Sequence, residues 1–185
     1  MERNFFELAK IKEQKKRHLH LICTACTLVL SDNNVLFDKI LQDRQTHGYQ
    51  YVCEELYNNI LPENYRYFLG TLKRIFDIDD NTFEEILGMK ELNTQILSPE
   101  GYDKEQIFIL ILHLLLINIF YPVNSDQSKF IKQIIQSYKY NNESLIFLQE
   151  KVHPLIQNSH FCFEDIDKIE KHMLNLFILK FNKLP

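Results

Sequence analysis

The stretch over residues 107–121 constrains the fold more than any other part of the chain, because it is continuously apolar. It reads IFILILHLLLINIFY and is bounded by polar residues on both sides. A helix that is apolar on every face is either the core of a bundle or a membrane span. A span needs about 20 apolar residues, and this stretch is shorter. We therefore predict a helix over about residues 105–121, buried at the centre of a helical bundle.

Two polar residues inside this stretch, His113 and Asn118, favour the bundle over the span. Either side chain would be costly in hydrocarbon unless it were paired. In a bundle we expect both to be core polar groups with partners nearby. The alternative is a membrane-associated subunit that uses residues 107–123 as a short span.

The rest of the chain favours helices over strands. Its 185 residues suit one domain, and they include only four Gly and five Pro. Few tight turns are therefore expected, which suits helices joined by short polar loops. The sequence predicts a single all-α domain over residues 1–185, a globular bundle of about seven to nine helices. Residues 1–18 would form a helical extension, and residues 158–185 would carry a C-terminal helix that packs on the bundle.

Apolar periodicity places several of these helices. It predicts helices over residues 3–17 and 19–30, which are either separate or continuous. Further helices are predicted over residues 128–138, 145–156 and 164–183. These helices supply the amphipathic faces that a buried central helix requires around it.

The charge of the chain gives little indication of a partner. A net charge of −4 makes no electrostatic case for nucleic-acid binding. The first predicted helix nevertheless carries a basic cluster, which comprises Lys10, Lys12, Lys15, Lys16 and Arg17. We interpret this basic cluster as a solvated helix face, which is ordinary for charged runs. The alternative is contact with a phosphate or an acidic protein partner through Lys12, Lys15, Lys16 and Arg17.

The cysteines indicate a reducing compartment. The chain has four of them, Cys23, Cys26, Cys53 and Cys162, and three lie within apolar helical patterns. A buried free cysteine behaves as a small hydrophobe. The opening Met-Glu-Arg-Asn has no hydrophobic segment before Leu19, so no signal peptide is expected. Reduced thiols and an intracellular, cytoplasmic location follow as the expectation.

Two segments of similar pattern occur at residues 31–42 and 125–136. Each follows a wholly apolar helix, opens with Ser-Asp and continues with the same apolar spacing. Two helical hairpins of this kind could pack about a pseudo-twofold axis. The alternative is that short capped helices simply look alike.

This repeated order of apolar helix, short acidic loop and amphipathic helix resembles the TerB-like (tellurite-resistance) all-α family. The resemblance covers about residues 19–150, and the passage FLGTLKRIFDIDD at residues 68–80 is similar to the middle section of that family. Family members often show Ala-Asp-Gly followed by a Glu, which suggests a divalent-metal site. Only Asp32 and Asp126 match that pattern, without the Gly or the Glu. The resemblance therefore implies a TerB-like scaffold with a degenerate metal site.

Two clusters contain residue types that bind transition metals. The first, His18, His20, Cys23 and Cys26, offers zinc-ligand types, but structural zinc pairs usually lie on turns and a second pair follows them. We interpret it as core packing. The second surrounds the last loop and comprises His153, His160, Cys162 and His172. Its spacing matches no established metal motif, so chance surface placement is the first interpretation and a metal site or a Cys-His enzyme is the alternative.

These patterns favour a non-enzymatic, intracellular helical module that acts through protein–protein contact. It would be an adaptor, a regulator or a small subunit of a larger assembly, with a protein partner or a second copy of itself. Its Tyr residues exceed what one core needs, and Tyr is enriched at interfaces. No cofactor is predicted, although a divalent metal ion remains an alternative. The membrane-associated subunit and an enzyme that uses residues 153–172 are the other two hypotheses.

Overall fold

The computed structural model describes residues 2–28, 42, 60–88, 98–120, 124–158 and 165–181. Seven α-helices and no β-strand occur in these ranges, so the all-α prediction is confirmed. In chain order we number the helices α1 (Glu2–Thr27), α2 (Glu63–Phe76), α3 (Asp80–Gly88), α4 (Lys104–Phe120), α5 (Ser125–Ser137), α6 (Asn142–Asn158) and α7 (Ile166–Phe181).

Helix α4 is the central helix that the sequence predicts. Ten consecutive residues, from Phe108 to Ile117, include nine that are buried. Helices α1, α2, α6 and α7 pack around α4, which explains why this helix is apolar on every face. Asp103 and Gln106 exchange backbone-to-side-chain hydrogen bonds of 2.8 and 3.0 Å at its start. This reciprocal pair satisfies two amides that the first turn of a helix leaves without partners.

Helix α1 is unbroken from Glu2 to Thr27, so the amphipathic run that begins at residue 3 and the apolar run that begins at residue 19 lie in one continuous helix. Residues 9–13 are exposed, and burial begins at Gln14. From Leu19 to Cys26 almost every side chain is buried, because α1 packs against α2, α3, α4 and α5. Much of the predicted 1–18 extension is therefore the exposed start of a helix whose second half lies in the core.

Helix α5 is joined to the end of α1 by a buried amide. Asn124 and Gln127 form a capping box at the start of α5. Gln127 is fully buried, and its Nε2 donates to the Ala25 carbonyl oxygen at 2.8 Å. Asn124 Nδ2 donates to the Leu28 carbonyl oxygen at 2.7 Å. These bonds satisfy carbonyls that the last turn of α1 leaves without intrahelical donors.

The C-terminal helix packs on the bundle as the sequence predicts. Helix α7 buries Ile166, Met173 and Phe177 and contacts both α4 and α6. The rings of Phe108 and Phe177 lie 4.3 Å apart between centroids. Across the described residues, no helix is both long enough and apolar enough to cross a membrane.

Several sequence predictions fall outside the described residues. They include the first segment of the internal repeat, of which only residue 42 is described, and the side chain of Asn118. The second segment of the repeat, residues 125–136, lies within α5 and begins the helix three residues before the predicted start at residue 128. The repeat therefore stays a prediction.

Candidate functional site

The first predicted metal-ligand cluster is part of the core. His18, His20, Cys23 and Cys26 are all buried on α1, as the core-packing interpretation predicts. Both cysteines are free thiols, and burial raises the pKa of each thiol above its usual range. A thiol with a raised pKa is a poor nucleophile, since the thiolate is the reactive form.

The other predicted metal ligands do not converge in the described part of the chain. His153 and His172 are exposed on α6 and α7, while His160, Cys162 and Asp32 lie outside the described residues. Asp126 forms an ion pair of 3.3 Å with Lys129, one turn away on α5. Within the described ranges, no group of three His, Cys, Asp or Glu side chains is placed to hold a metal ion.

The basic cluster of α1 contacts neighbouring parts of the same chain. Lys12 lies 4.0 Å from Asp79, and Lys16 lies 3.4 Å from Glu85 on α3. Arg17 donates to the Glu100 carbonyl oxygen at 3.1 Å and lies over the ring of Tyr102 at 5.4 Å. The solvated-face interpretation is therefore incomplete, because these cations also hold α1 against α3 and the segment before α4. Exposed pairs of this kind stabilise the fold only slightly.

A buried polar relay connects α1, α4 and α7. Nε2 of His18 lies 2.9 Å from Nδ1 of His113, and Nε2 of His113 lies 2.7 Å from Oε1 of Glu170. His18 is 6% exposed and His113 is fully buried. The prediction that His113 is a core polar group with partners nearby is confirmed. We call these three side chains the relay.

Aromatic rings surround the relay. The ring of Phe76 lies 4.9 Å from that of His18, and the ring of Phe68 meets that of His113 edge-on at 5.8 Å. Both phenylalanines are buried, so the imidazoles lie in an apolar environment. Burial lowers the pKa of His18 well below its usual range, and the neighbouring His113 lowers it further. His18 is therefore neutral at physiological pH.

A cavity of about 370 Å³ extends from the surface to His18. One face of α1 forms its first wall, with Ile11, Gln14, Lys15 and His18 at the i, i+3, i+4, i+7 spacing of a helical stripe. Ile11 at one end of this stripe is exposed and His18 at the other is buried. The opposite wall comprises Phe76, Tyr102, Asp103, Glu105, Gln106, Ile109 and Leu174. We call this space the α1 cavity.

Hydrogen bonds fix the polar part of the cavity wall. The Gln14 side-chain amide donates to the Gly101 carbonyl oxygen, and its Oε1 accepts from Gln106 Nε2 at 3.2 Å. The Tyr102 hydroxyl donates to the Gln14 carbonyl oxygen at 3.1 Å. Gly101 adopts a φ of +87°, and a Cβ there would lie 3.3 Å from Gln14 Nε2. The turn before α4 therefore needs glycine, both for its backbone conformation and for the approach of Gln14.

The relay could not have been found from local sequence patterns. His18 and His113 are 95 residues apart, and His113 and Glu170 are 57 apart. The sequence identified His113 as a core polar group and His18 as part of a packing cluster, but it gave no sign that they meet. The available sequence signal for the cavity wall was the α1 stripe from Ile11 to His18, because three polar residues on it share a helix face with an isoleucine.

Compared with protein-family models, with curated proteins and with solved structures, the chain matches none of them. The fold and the site define it as an all-α bundle with a buried His-His-Glu relay beside a cavity. The resemblance to the TerB-like family stays a prediction, and so does its degenerate metal site at Asp32 and Asp126.

Proposed function

We propose that this chain is a non-enzymatic helical binding module, and that the α1 cavity binds a small, largely apolar molecule. The observation that carries the proposal is the cavity itself. Its volume of about 370 Å³ lies at the low end of the roughly 300–1,000 Å³ typical of small-molecule sites. Such sites combine apolar side chains with placed polar groups. Among the described residues that line the α1 cavity, five apolar or aromatic side chains (Ile11, Phe76, Tyr102, Ile109 and Leu174) lie beside six polar or charged ones.

Binding is favoured over catalysis by the chemistry of the wall. The described residues that line the cavity include no serine, threonine or cysteine. His18 could accept a proton, and Tyr102 carries the one hydroxyl among the described lining residues. The Tyr102 hydroxyl donates to the Gln14 carbonyl, and burial raises the pKa of Tyr102 above its usual range. These features support a role in holding a ligand.

The experiment uses indole as a probe of the cavity. Titration of the full chain with indole, followed by two-dimensional amide NMR, should shift the resonances of residues around Ile109 and Gln14. Ile109→Phe should weaken binding, because the larger ring occupies the space. Lys132→Phe is the control, since Lys132 is exposed on α5 and does not line the cavity. The proposal would be overturned if indole shifted only resonances of residues outside the cavity. Equal affinity of the two variants for indole would overturn it as well.

The expected protein–protein role is a second candidate, supported by large apolar side chains at the surface. Tyr67, Ile146 and Leu179 are each more than half exposed, and the last two lie on the neighbouring helices α6 and α7. Exposed apolar side chains on two packed helices can form part of an interaction surface. We propose a second copy of this chain as the occupant of the α6–α7 face, where Glu143 and Lys180 form an intrachain pair at 3.8 Å whose two charges are self-complementary.

Self-association can be measured without knowledge of any partner. Sedimentation velocity of the full chain should show a dimer that Ile146→Glu and Leu179→Glu dissociate. Tyr67→Glu is the control, because Tyr67 lies on α2. A monomer at all concentrations, or a dimer that the two α6–α7 variants leave intact, would contradict this second candidate.

A further inference from the structure

We propose that Nδ1 of His18 is the recognition atom of the α1 cavity, and that it accepts a hydrogen bond from its ligand. The ligand class is then an apolar ring or chain that carries an N–H or O–H donor. This inference rests on the proposed function, because it names the ligand chemistry of the same cavity.

The direction of the hydrogen bonds follows from Glu170. A carboxylate oxygen can only accept, so Nε2 of His113 carries the proton that bridges the 2.7 Å distance to Glu170. A neutral His113 then has no proton on Nδ1, which must accept from Nε2 of His18 across 2.9 Å. A neutral His18 with its proton on Nε2 has a lone pair on Nδ1. The relay thereby fixes the tautomer of His18.

The neutral state of His18 follows from the groups that face it. The apolar ring of Phe76 faces it from α2, and His113 faces it from α4, with Glu170 of α7 behind. Among residues of the cavity wall, Lys15, Asp103 and Glu105 carry charge. Asp103 and Glu105 are exposed to water, which screens them.

Nδ1 of His18 has no hydrogen-bond partner within the described residues. His18 is a buried residue that lines the α1 cavity. By contrast, Gln14 Oε1 accepts from Gln106, and Gln106 Oε1 accepts from the Asp103 amide. A ligand without a donor would leave Nδ1 unsatisfied in the closed site, which a ligand with a donor avoids.

The test compares indole with 1-methylindole, which have the same ring system but differ in the N–H donor. The full chain should bind indole roughly fivefold more tightly, the ratio that one neutral hydrogen bond supplies. In His18→Leu this ratio should fall to the value set by the extra methyl group alone. His20→Leu is the matched control, because His20 is equally buried on α1 but does not line the cavity. It should keep the wild-type ratio.

Glu170→Gln tests the relay without touching the cavity. Glu170 is a positioning residue, because it acts on the ligand only through the two imidazoles. An amide can donate as well as accept, so the relay in this variant can run in either direction. The preference for indole should therefore decrease in Glu170→Gln while the affinity for 1-methylindole stays unchanged. A purely structural role of Glu170 would weaken both probes equally. This variant also carries the test if His18→Leu does not fold.

The outcomes separate the two proposals. Equal affinity of the wild-type chain for both probes, mapped to the cavity, would overturn the role of His18 and leave the binding function standing. If His18→Leu kept the wild-type preference for indole, the role of His18 would likewise be overturned, and the binding function would stand. Failure of both probes to bind at the cavity would overturn both proposals.

Discussion

Replacement of Glu170 by leucine should destabilise the fold by removing one end of the relay. The side chain of Glu170 is 15% exposed, and the His113 that it accepts from is fully buried. Leucine leaves the Nε2–H of His113 without an acceptor in an apolar environment. A buried donor left unsatisfied costs about 1–3 kcal/mol, and hydrogen bonds to charged groups lie at the upper end of that range. We expect Glu170→Leu to lose about 2 kcal/mol of unfolding free energy.

Two further variants calibrate this value. Glu170→Gln keeps an oxygen acceptor at the same position, so its unfolding free energy should fall by about 1 kcal/mol or less. Glu143→Leu removes a carboxylate that is 69% exposed and lies 3.8 Å from Lys180. An exposed pair at this distance contributes little, so its loss should stay within about 0.5 kcal/mol.

The assay is urea unfolding followed by circular dichroism. The three variants should share the wild-type denaturant slope. Their urea midpoints should decrease in the order Glu143→Leu, Glu170→Gln, Glu170→Leu. A Glu170→Leu midpoint equal to that of Glu143→Leu would refute the reasoning, because it would show that His113 does not depend on Glu170.

Three other predictions follow from the same structure. Burial lowers the pKa of His20 to about 4 and also lowers that of His18, so the unfolded chain takes up protons first as the pH falls. The unfolding free energy from urea titrations should therefore be constant above pH ~6.5 and decrease toward pH ~4, by up to about 1.4 kcal/mol per pH unit for each histidine; a free energy that rises on acidification would contradict this. Leu112→Ala, at a fully buried position of α4, should lose about 2–5 kcal/mol of unfolding free energy. Leu179→Ala, at an exposed position, should lose less than about 1 kcal/mol. Similar losses in the two variants would contradict this prediction. Asp79 accepts from the Thr82 amide at 2.8 Å at the start of α3, so Asp79→Ala should lower the urea midpoint in the same assay; an unchanged midpoint would show that this cap is not needed.

The central helix could be predicted because its signal is local. A continuous apolar run bounded by polar residues has one stable solution in a bundle of this size, and α4 spans Lys104–Phe120 against a prediction of about 105–121. The amphipathic helices α5 and α7 follow from the same periodicity. Each of these elements depends on neighbours within a few turns.

The role of α1 could not be predicted in the same way. Pattern analysis assigns polar side chains to the surface, and so it assigned the basic cluster of α1 to a solvated face and gave no sign that Gln14, which lies among these residues, is buried. Gln14 is buried because Gly101, Tyr102 and Gln106, at least 87 residues away in sequence, supply its hydrogen-bond partners. His18 is buried for the same reason, through His113. Only the fold shows which polar residues find such distant partners.

The most direct test of the account is the tautomer of His18 in the full chain at pH 7.5. Long-range proton–nitrogen NMR correlations of the imidazole rings distinguish a protonated ring nitrogen from an unprotonated one. We expect His18 and His113 both to carry their single proton on Nε2, with Nδ1 of His18 unprotonated and Nδ1 of His113 accepting from His18. A proton on Nδ1 of His18 would contradict the account, because the relay would then present a donor to the cavity.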